Sequence, residues 1–444
     1  MNFAIAAKEL GWELRNIDPD SEIGPPCIDS RKCSPGQVFW ALKVNRDGGQ
    51  FAEEALNKSA QAAVVTPYWV TKIHPGEPLV VVDEVLEALT AFGHLARKKF
   101  SGKVFALTGS CGKTGAKEII SAVLAQKYRV LKSPASYNNH IGLPFTLCQL
   151  SPQWDIAVLE MGANHPGEIA ALCEIAQPTA GLITMVGRAH LEGFGNIKGV
   201  AEAKGELFRG LTGPGTAFVN FDDPFVVEQS TAVTNRIGYG FGSLPTGQDF
   251  TRLYQGFLGE NDSFTVLNER YTFHLPGFMM IHALSAVAVG LTWGVEAFKI
   301  ALALESFPGV KGRMQKLQYE DITIYDDVYN CNPSSLKAAL EFIAGLPEGR
   351  KIAVLGDMME LGDFSPAEHQ RAIDICRELD IHAWFTIGEN YSKIENANNF
   401  SNPQELTQEL RQTAKPGDII LFKGSRTMEM ERILNEFIGR NGKG

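Results

Sequence analysis

At 444 residues, with 44% hydrophobic and 21% charged side chains, the chain has room for about three globular domains, each able to bury a core of its own. Its net charge of −10 argues against a nucleic-acid binder, whose footprint would be basic, but leaves room for a phosphorylated substrate at a local anion site. Seven scattered cysteines, an odd count without a C-x-x-C pair, suit a reducing compartment better than a disulfide framework.

The opening MNFAIAAKELGWEL has no basic n-region and no cleavable apolar core, so no secretion signal is expected and the chain reads as cytoplasmic. Residues 1–84 read as a small α/β domain. CIDSRKCSPGQVFWALK is an extended segment with a Pro-Gly turn, and AAVVTPYWV and EPLVVVDEV read as short strands. The helical run VLEALTAFGHLARKKF then leads into a central domain, residues 85–308. Its strands KVFALTG, DIAVLEMG, AGLITMVG and GTAFVNFDDP alternate with helices, the signature of a mostly parallel sheet. After about Gln248 shorter pieces such as SFTVLNERYTFHL predict an antiparallel appendage. The most apolar stretch, MMIHALSAVAVGLTWGV, falls short of the ~20 residues that cross a bilayer. It predicts a buried helix and no membrane insertion. FPGVKGR reads as a hinge into a third domain, residues 309–444, where ITIYDDVYN, KIAVLGDM, AWFTIGEN and DIILFKGS predict a second, Rossmann-like sheet.

The densest chemistry lies in VFALTGSCGKTGAKEIISAVL. A strand ends at Thr108, a loop passes through Gly109, Ser110, Cys111 and Gly112, and a helix starts near Lys113. This layout aims backbone N–H groups and the positive end of a helix at one point, where phosphate oxygens are stabilised. Lys113 would neutralise the β- and γ-phosphates of ATP and the Thr114 hydroxyl would ligate Mg²⁺. Leu107 stands where the common spacing has its first glycine, so this is the shorter G-x-x-G-K-T form. A chance glycine turn is the bland alternative, and the flanking strand and helix weigh against it. Gly115 in the first helical turn costs ~1 kcal/mol relative to alanine in a helix interior.

Ligands of open α/β sheets gather beyond the carboxyl ends of the strands. Glu160 follows the apolar run IAVL and His190 follows AGLITMV, so both emerge at the edge that carries the phosphate loop. With Thr114 they make a plausible set for Mg²⁺ near a polyphosphate. Taken singly, Glu160 reads as a structural cap and His190 as a satisfied polar residue; convergence is the argument. Lys204, on the charged helix VAEAKGELF, reads from its composition as solvated. Asn138 and Asn139, in SYNNHIGLP, read by default as a turn.

These segments together resemble the Mur ligase family over nearly the whole chain. TGSCGKT resembles its ATP-binding signature, EMGANHPGEIA the segment whose glutamate, here Glu160, holds Mg²⁺, and AHLEGFGN the metal-histidine segment, here His190. AEAKGELF resembles the segment of a carbamylated lysine, which nominates Lys204 as a further metal ligand. The resemblance also nominates Asn138 and Asn139 beside the substrate and Arg313, in VKGRMQ, beside the nucleotide. Asp327, Tyr329, Asn330 and Asn332, in DDVYNCNPSS, would face the nucleotide cleft. Asp29, Ser30 and Arg31, in DSRKCSPGQVFWALK, would contact a uridine nucleotide.

EMGANHPGEI, YNCNP, LGDMMELG and KGSRTMEME most resemble the branch that adds D-alanyl-D-alanine to a UDP-N-acetylmuramoyl-tripeptide, and the D-N-P-R of diaminopimelate-adding relatives is absent. The resemblance implies ATP and Mg²⁺ as cofactors, an acyl phosphate made from the tripeptide carboxylate, attack on it by the dipeptide amine, and a monomer. Two departures stand out: Gly115 replaces a second hydroxyl residue, and GFMMIHALSA lacks the family's G-x-H-x-x-x-N, with Met279 at the histidine position. Another amide ligase of this fold, such as a folylpolyglutamate synthase, is the near alternative; a P-loop kinase or NTPase is the distant one.

Overall fold

The computed structural model describes residues 1–260, 262–274 and 276–439. Three large sheets follow one another along the chain, with a small antiparallel sheet of three strands lying in sequence between the second and the third. The first has five strands in the spatial order Glu13–Arg15, Leu79–Val81, Ala62–Val65, Val38–Trp40, Pro26–Cys27, all parallel except the first pair. The second has seven parallel strands, Arg252–Gln255, Asn235–Gly240, Thr216–Asn220, Ala180–Ile183, Lys103–Thr108, Ile156–Glu160 and Val130–Lys132. The third runs Gln315–Tyr319, Ile322–Asp327, Ile419–Lys423, Lys351–Gly356, Ala383–Ile387, Asn399–Phe400, with only its first strand antiparallel.

The central strands explain the apolar runs of the sequence. All five residues of Ile156–Glu160 are buried, because helices cover both faces of the sheet. Ser263–Val266 and Glu269–Thr272 pair antiparallel, as SFTVLNERYTFHL predicts. Phe257–Leu258 pairs antiparallel with the first of them too, but Arg252–Gln255 joins the parallel sheet at its edge, a short, half-buried strand that gives little periodicity to read. In AAVVTPYWV only Ala62–Val65 is a strand. Pro67 opens a helical turn, Pro67–Val70, a position its fixed φ favours and its missing N–H does not harm.

Two helices tie the layers together. Val85–Lys99 places Val85, Ala88, Leu89 and Phe92 in the first core and Ala96 in the central one. The apolar stretch becomes the buried helix Met280–Thr292, whose core continues through Leu336, Ala339 and Leu340 to the third sheet. The carboxyl ends of the central strands therefore open toward the third sheet's domain. No helix among the described residues is long and apolar enough to cross a membrane.

Candidate active site

The phosphate loop is a tight structure whose glycines are required. Gly109 has φ +145°, and a Cβ there would meet Thr184 Oγ1 at 2.0 Å; Gly112 has φ +77°, and a Cβ there would meet His282 Nε2 at 2.1 Å. Both positions thus exclude a side chain on backbone and steric grounds. Ser110 N donates to Met185 O at 2.9 Å, Ser110 Oγ to Gly187 O at 3.1 Å, and Thr184 Oγ1 to Cys111 O at 2.6 Å, so the loop is braced on the neighbouring strand's exit. The helix Lys113–Leu124 starts without a side-chain cap among the described residues, which leaves its first N–H groups for an anion. Lys113 Nζ turns back to Gly109 O at 2.7 Å, and burial holds its pKa below the ordinary lysine value.

Glu160 closes its strand almost fully buried. Its Oε1 accepts from Asn138 Nδ2 at 2.9 Å, while Oε2 has no hydrogen-bond partner among the described residues. Lys117 Nζ stands 3.7 Å from Oε2, itself fully buried and donating to Ser133 O at 2.8 Å and to Ala135 O. Sequence reasoning passed over Lys117. Its signal was the spacing of four from Lys113, which puts both amines on one face of the helix. Asn139 lines the cavity too, but its Oδ1 accepts from Ile141 N and Gly142 N at 3.2 and 2.9 Å, so it is partly committed to the turn.

His190 has the left-handed φ of +52°. Its Nδ1 is buried with no well-directed hydrogen bond among the described residues, yet Glu360 Oε2 stands only 2.6 Å away. Distance decides that the two groups interact, and alignment is what the pair lacks. His190 beside it, against the opposing effect of burial, holds the Glu360 carboxyl below its ordinary range. Lys204 corrects the compositional reading. It is fully buried, donates from Nζ to Ala163 O at 3.2 Å and lies 5.0 Å from the centroid of the Phe194 ring. Burial, with the Lys113 charge adding to it, pushes the Lys204 amine down to about 7.

The third domain supplies the opposite wall. Arg313 Nη2 donates to Thr114 Oγ1 at 3.2 Å and its guanidinium covers the Tyr329 ring at 4.0 Å, while Arg313 Nε is buried without a partner among the described residues. Asn332 Nδ2 donates to Ser110 O at 3.3 Å, and Cys111 Sγ to Asn332 Oδ1 at 3.9 Å. The Ser136 and Tyr329 hydroxyls are hydrogen-bonded. Asp327 pairs with buried Lys423, which also donates to Asn330 O at 3.1 Å. A cavity of about 1190 Å³ lies between the walls, lined by residues 110–115, Asn138, Asn139, Glu160, His190, Arg313, Asp327, Tyr329, Asn330 and Asn332. Gly109 sits behind the loop and Lys204 behind Ala163, outside that lining. Asp29, Ser30 and Arg31 are also outside it. Arg31 pairs bidentately with Asp29 at 2.9 Å for both bonds, and Ser30 Oγ donates to Glu54 at 2.7 Å.

The two departures from the family pattern prove to be neighbours. A Cβ at Gly115 would meet Met279 Cε at 3.3 Å, so Met279 occupies space beside the position that has lost its hydroxyl side chain. The donor set suits Mg²⁺: a buried carboxylate oxygen without a partner, a hydroxyl and an imidazole at one cavity. Among the described residues no three His, Cys, Asp or Glu side chains cluster as a metal cage.

Two family models match the chain: Mur ligase middle domain over residues 107–288, and Mur ligase, glutamate ligase domain, over residues 312–426. The UDP-N-acetylmuramoyl-tripeptide–D-alanyl-D-alanine ligase of Escherichia coli is 35% identical to it, over 96% of this chain and 95% of its own. The enzyme of that name from Bacillus subtilis is 32% identical over 92% of each. Among solved structures, MurF from Acinetobacter baumannii has a TM-score of 0.82 at 30% identity, covering 99% of this chain and 98% of its own. The MurF ligase of Thermotoga maritima in complex with ADP has a TM-score of 0.77 at 28% identity, covering 94% and 97%.

Proposed function

The chain belongs to the Mur ligase family, and from that premise we propose that it uses ATP to join D-alanyl-D-alanine to a UDP-N-acetylmuramoyl-tripeptide. The observation that carries this reading is the shared cavity. One wall offers an uncapped helix end and Lys113 to a triphosphate; the other closes on the same loop with Arg313 and Asn332. Two anions, a carboxylate and a γ-phosphate, must meet there, and positive groups in a water-poor site lower the cost of bringing them together.

In this reading Lys113 leaves Gly109 O for the β- and γ-phosphates, and Arg313 helps neutralise the charge that develops on the γ-phosphate. Thr114 and Glu160 would hold Mg²⁺, with His190 and a carbamylated Lys204 at a second ion. Bound there, Mg²⁺ would screen the repulsion between the attacking carboxylate and the γ-phosphate. Asn138 keeps Glu160 oriented through its hydrogen bond to Oε1. The substrate carboxylate oxygen attacks phosphorus, ADP leaves, and the dipeptide amine attacks the resulting acyl carbon with loss of phosphate and a proton. No nucleophilic side chain is needed.

The Lys204 role rests on its burial. An amine lowered by burial to about 7 is uncharged in roughly half of the molecules at neutral pH, and its free electron pair can attack CO₂; loss of one proton from nitrogen then gives a carbamate. Asp29, Ser30 and Arg31 are assigned to the uridine nucleotide, with residues 1–84, 85–308 and 309–444 as the three domains, and the enzyme as a cytoplasmic monomer. Released ADP, measured with each peptide substrate alone and with both, tests the reading. Net release should need the tripeptide and, for sustained turnover, the dipeptide; steady hydrolysis with neither would make the protein an NTPase.

A further inference from the structure

The segment that carries His190 is gripped by the third domain at several points. Arg188 N donates to Ser334 Oγ at 3.1 Å, and Arg188 Nη2 pairs with the buried Glu368 at 2.9 Å. A Cβ on Gly362 would meet the Glu192 side chain at 3.2 Å. Between these contacts Glu360 Oε2 reaches to 2.6 Å from His190 Nδ1.

Glu360 is held in that place by contacts within its own domain. It has the left-handed φ of +62°, which non-glycine residues seldom adopt. The two residues before it are pinned: Met358 N donates to His369 Nε2 at 3.0 Å, and Met359 N to Ser425 Oγ at 2.9 Å. His369 is itself set, because its Nδ1 lies 2.7 Å from Ser365 O and can only donate there, which leaves Nε2 as the acceptor. Asp357 accepts from Asn390 N and Tyr391 N at 2.9 and 3.1 Å and so anchors the start of the same turn. The carboxylate is thus preset to face another domain.

We propose that Glu360 is a positioning residue for the metal-binding histidine, supplied across the domain interface. Its carboxylate already stands 2.6 Å from His190 Nδ1. A small turn of the ring to align the pair would let the carboxylate accept the Nδ1–H and keep Nε2 unprotonated as the ring's free ligand atom. Metal-binding histidines commonly donate their other ring N–H to a carboxylate in this way, and the partner fixes tautomer and orientation. Because Glu360 belongs to the third domain, His190 is fully set only when that domain is docked. Metal binding and docking then favour one another. This rests on the assignment of His190 as a metal ligand.

The test is a Mn²⁺ titration followed by electron paramagnetic resonance, with a non-hydrolysable ATP analogue present throughout, on the full-length protein. Glu360→Ala should weaken the weaker Mn²⁺ site by about 10- to 100-fold. Glu360→Gln, whose amide oxygen still accepts a hydrogen bond, should recover part of the loss. Glu368→Gln, which breaks the neighbouring ion pair without touching His190, should stay within about twofold of the parent on the same scale. In turnover assays Glu360→Ala should raise the Mg²⁺ concentration needed for half-maximal rate more than it lowers kcat. Unchanged Mn²⁺ affinity in Glu360→Ala, with His190→Ala clearly weakened, overturns the role of Glu360 alone. Unchanged affinity in His190→Ala as well overturns the assignment of His190 on which it rests.

Discussion

Two groups of polar residues, both nominated by sequence, are treated very differently by the fold. Asp29, Ser30 and Arg31 are satisfied by one another and by near neighbours: Arg31 forks onto Asp29, Ser30 Oγ donates to Glu54, and the Arg31 side chain remains largely exposed. In the interdomain cavity Glu160 Oε2 and Arg313 Nε are buried without hydrogen bonds among the described residues. A buried polar atom left unpaired costs roughly 1–3 kcal/mol, more when charged. A stable fold keeps such atoms where a ligand will pair them, whereas a self-satisfied surface cluster must first give up its own bonds. The cavity is therefore built for its ligands in advance, and the N-terminal segment is not.

The largest effects should come from breaking the cavity's positive wall. Lys113→Ala should reduce turnover by at least about 10³-fold, beyond the usual loss of one transition-state donor, because no other loop side chain carries that charge. Near-normal kcat in that variant would remove the phosphate-loop assignment. Lys204→Ala should lose about 10²-fold, and acetate or another short carboxylate should restore part of it by supplying the missing oxygens. Activity unchanged by the substitution would leave Lys204 a packing residue.

Acid stability sharpens the comparison in a different way. Burial pushes His282, packed against Gly112, down to about 4, below its ordinary value near 6.5. The folded state therefore binds fewer protons than the unfolded chain between these values. Its contribution is fully present above pH 6.5 and is lost as pH falls toward 4, up to a few kcal/mol. Urea unfolding of His282→Gln between pH 7 and 4 should show a shallower loss than the parent; parallel curves would mean that His282 does not titrate with unfolding. Asp29 is also held low by Arg31, but at the exposed surface the pair should leave acid stability unchanged. The smallest effect is expected there. Arg31→Ala should raise the tripeptide KM severalfold at constant kcat, and an unchanged KM would place the uridine nucleotide elsewhere.

What sequence could reveal follows the range of the interactions. The phosphate loop was legible because strand, glycines and helix are contiguous, and Gly109 and Gly112 announce a backbone that no other residue can follow. Glu160 by itself read as a structural cap, and only its convergence with Thr114 and His190 at one strand edge pointed to the cavity that all three line. Lys204 lies on a helix whose other charged residues suggested solvent, and only packing shows it, and the unremarked Lys117, fully buried. Glu360 lies 170 residues from His190, and nothing local in LGDMMELG tells which domain it faces. The lone strand Arg252–Gln255 was missed because an edge strand of four residues carries almost no periodic signal.

The central claim is that a substrate carboxylate oxygen attacks phosphorus in this cavity, and isotope transfer tests it most directly. The acceptor tripeptide would be labelled with ¹⁸O in its reacting carboxyl group and ligated to D-alanyl-D-alanine with unlabelled ATP. An acyl phosphate requires one labelled oxygen to leave with the released phosphate, seen by mass spectrometry as a two-dalton shift in phosphate formed together with the pentapeptide product. Label retained wholly in the peptide or lost to water, with unlabelled phosphate, would contradict it.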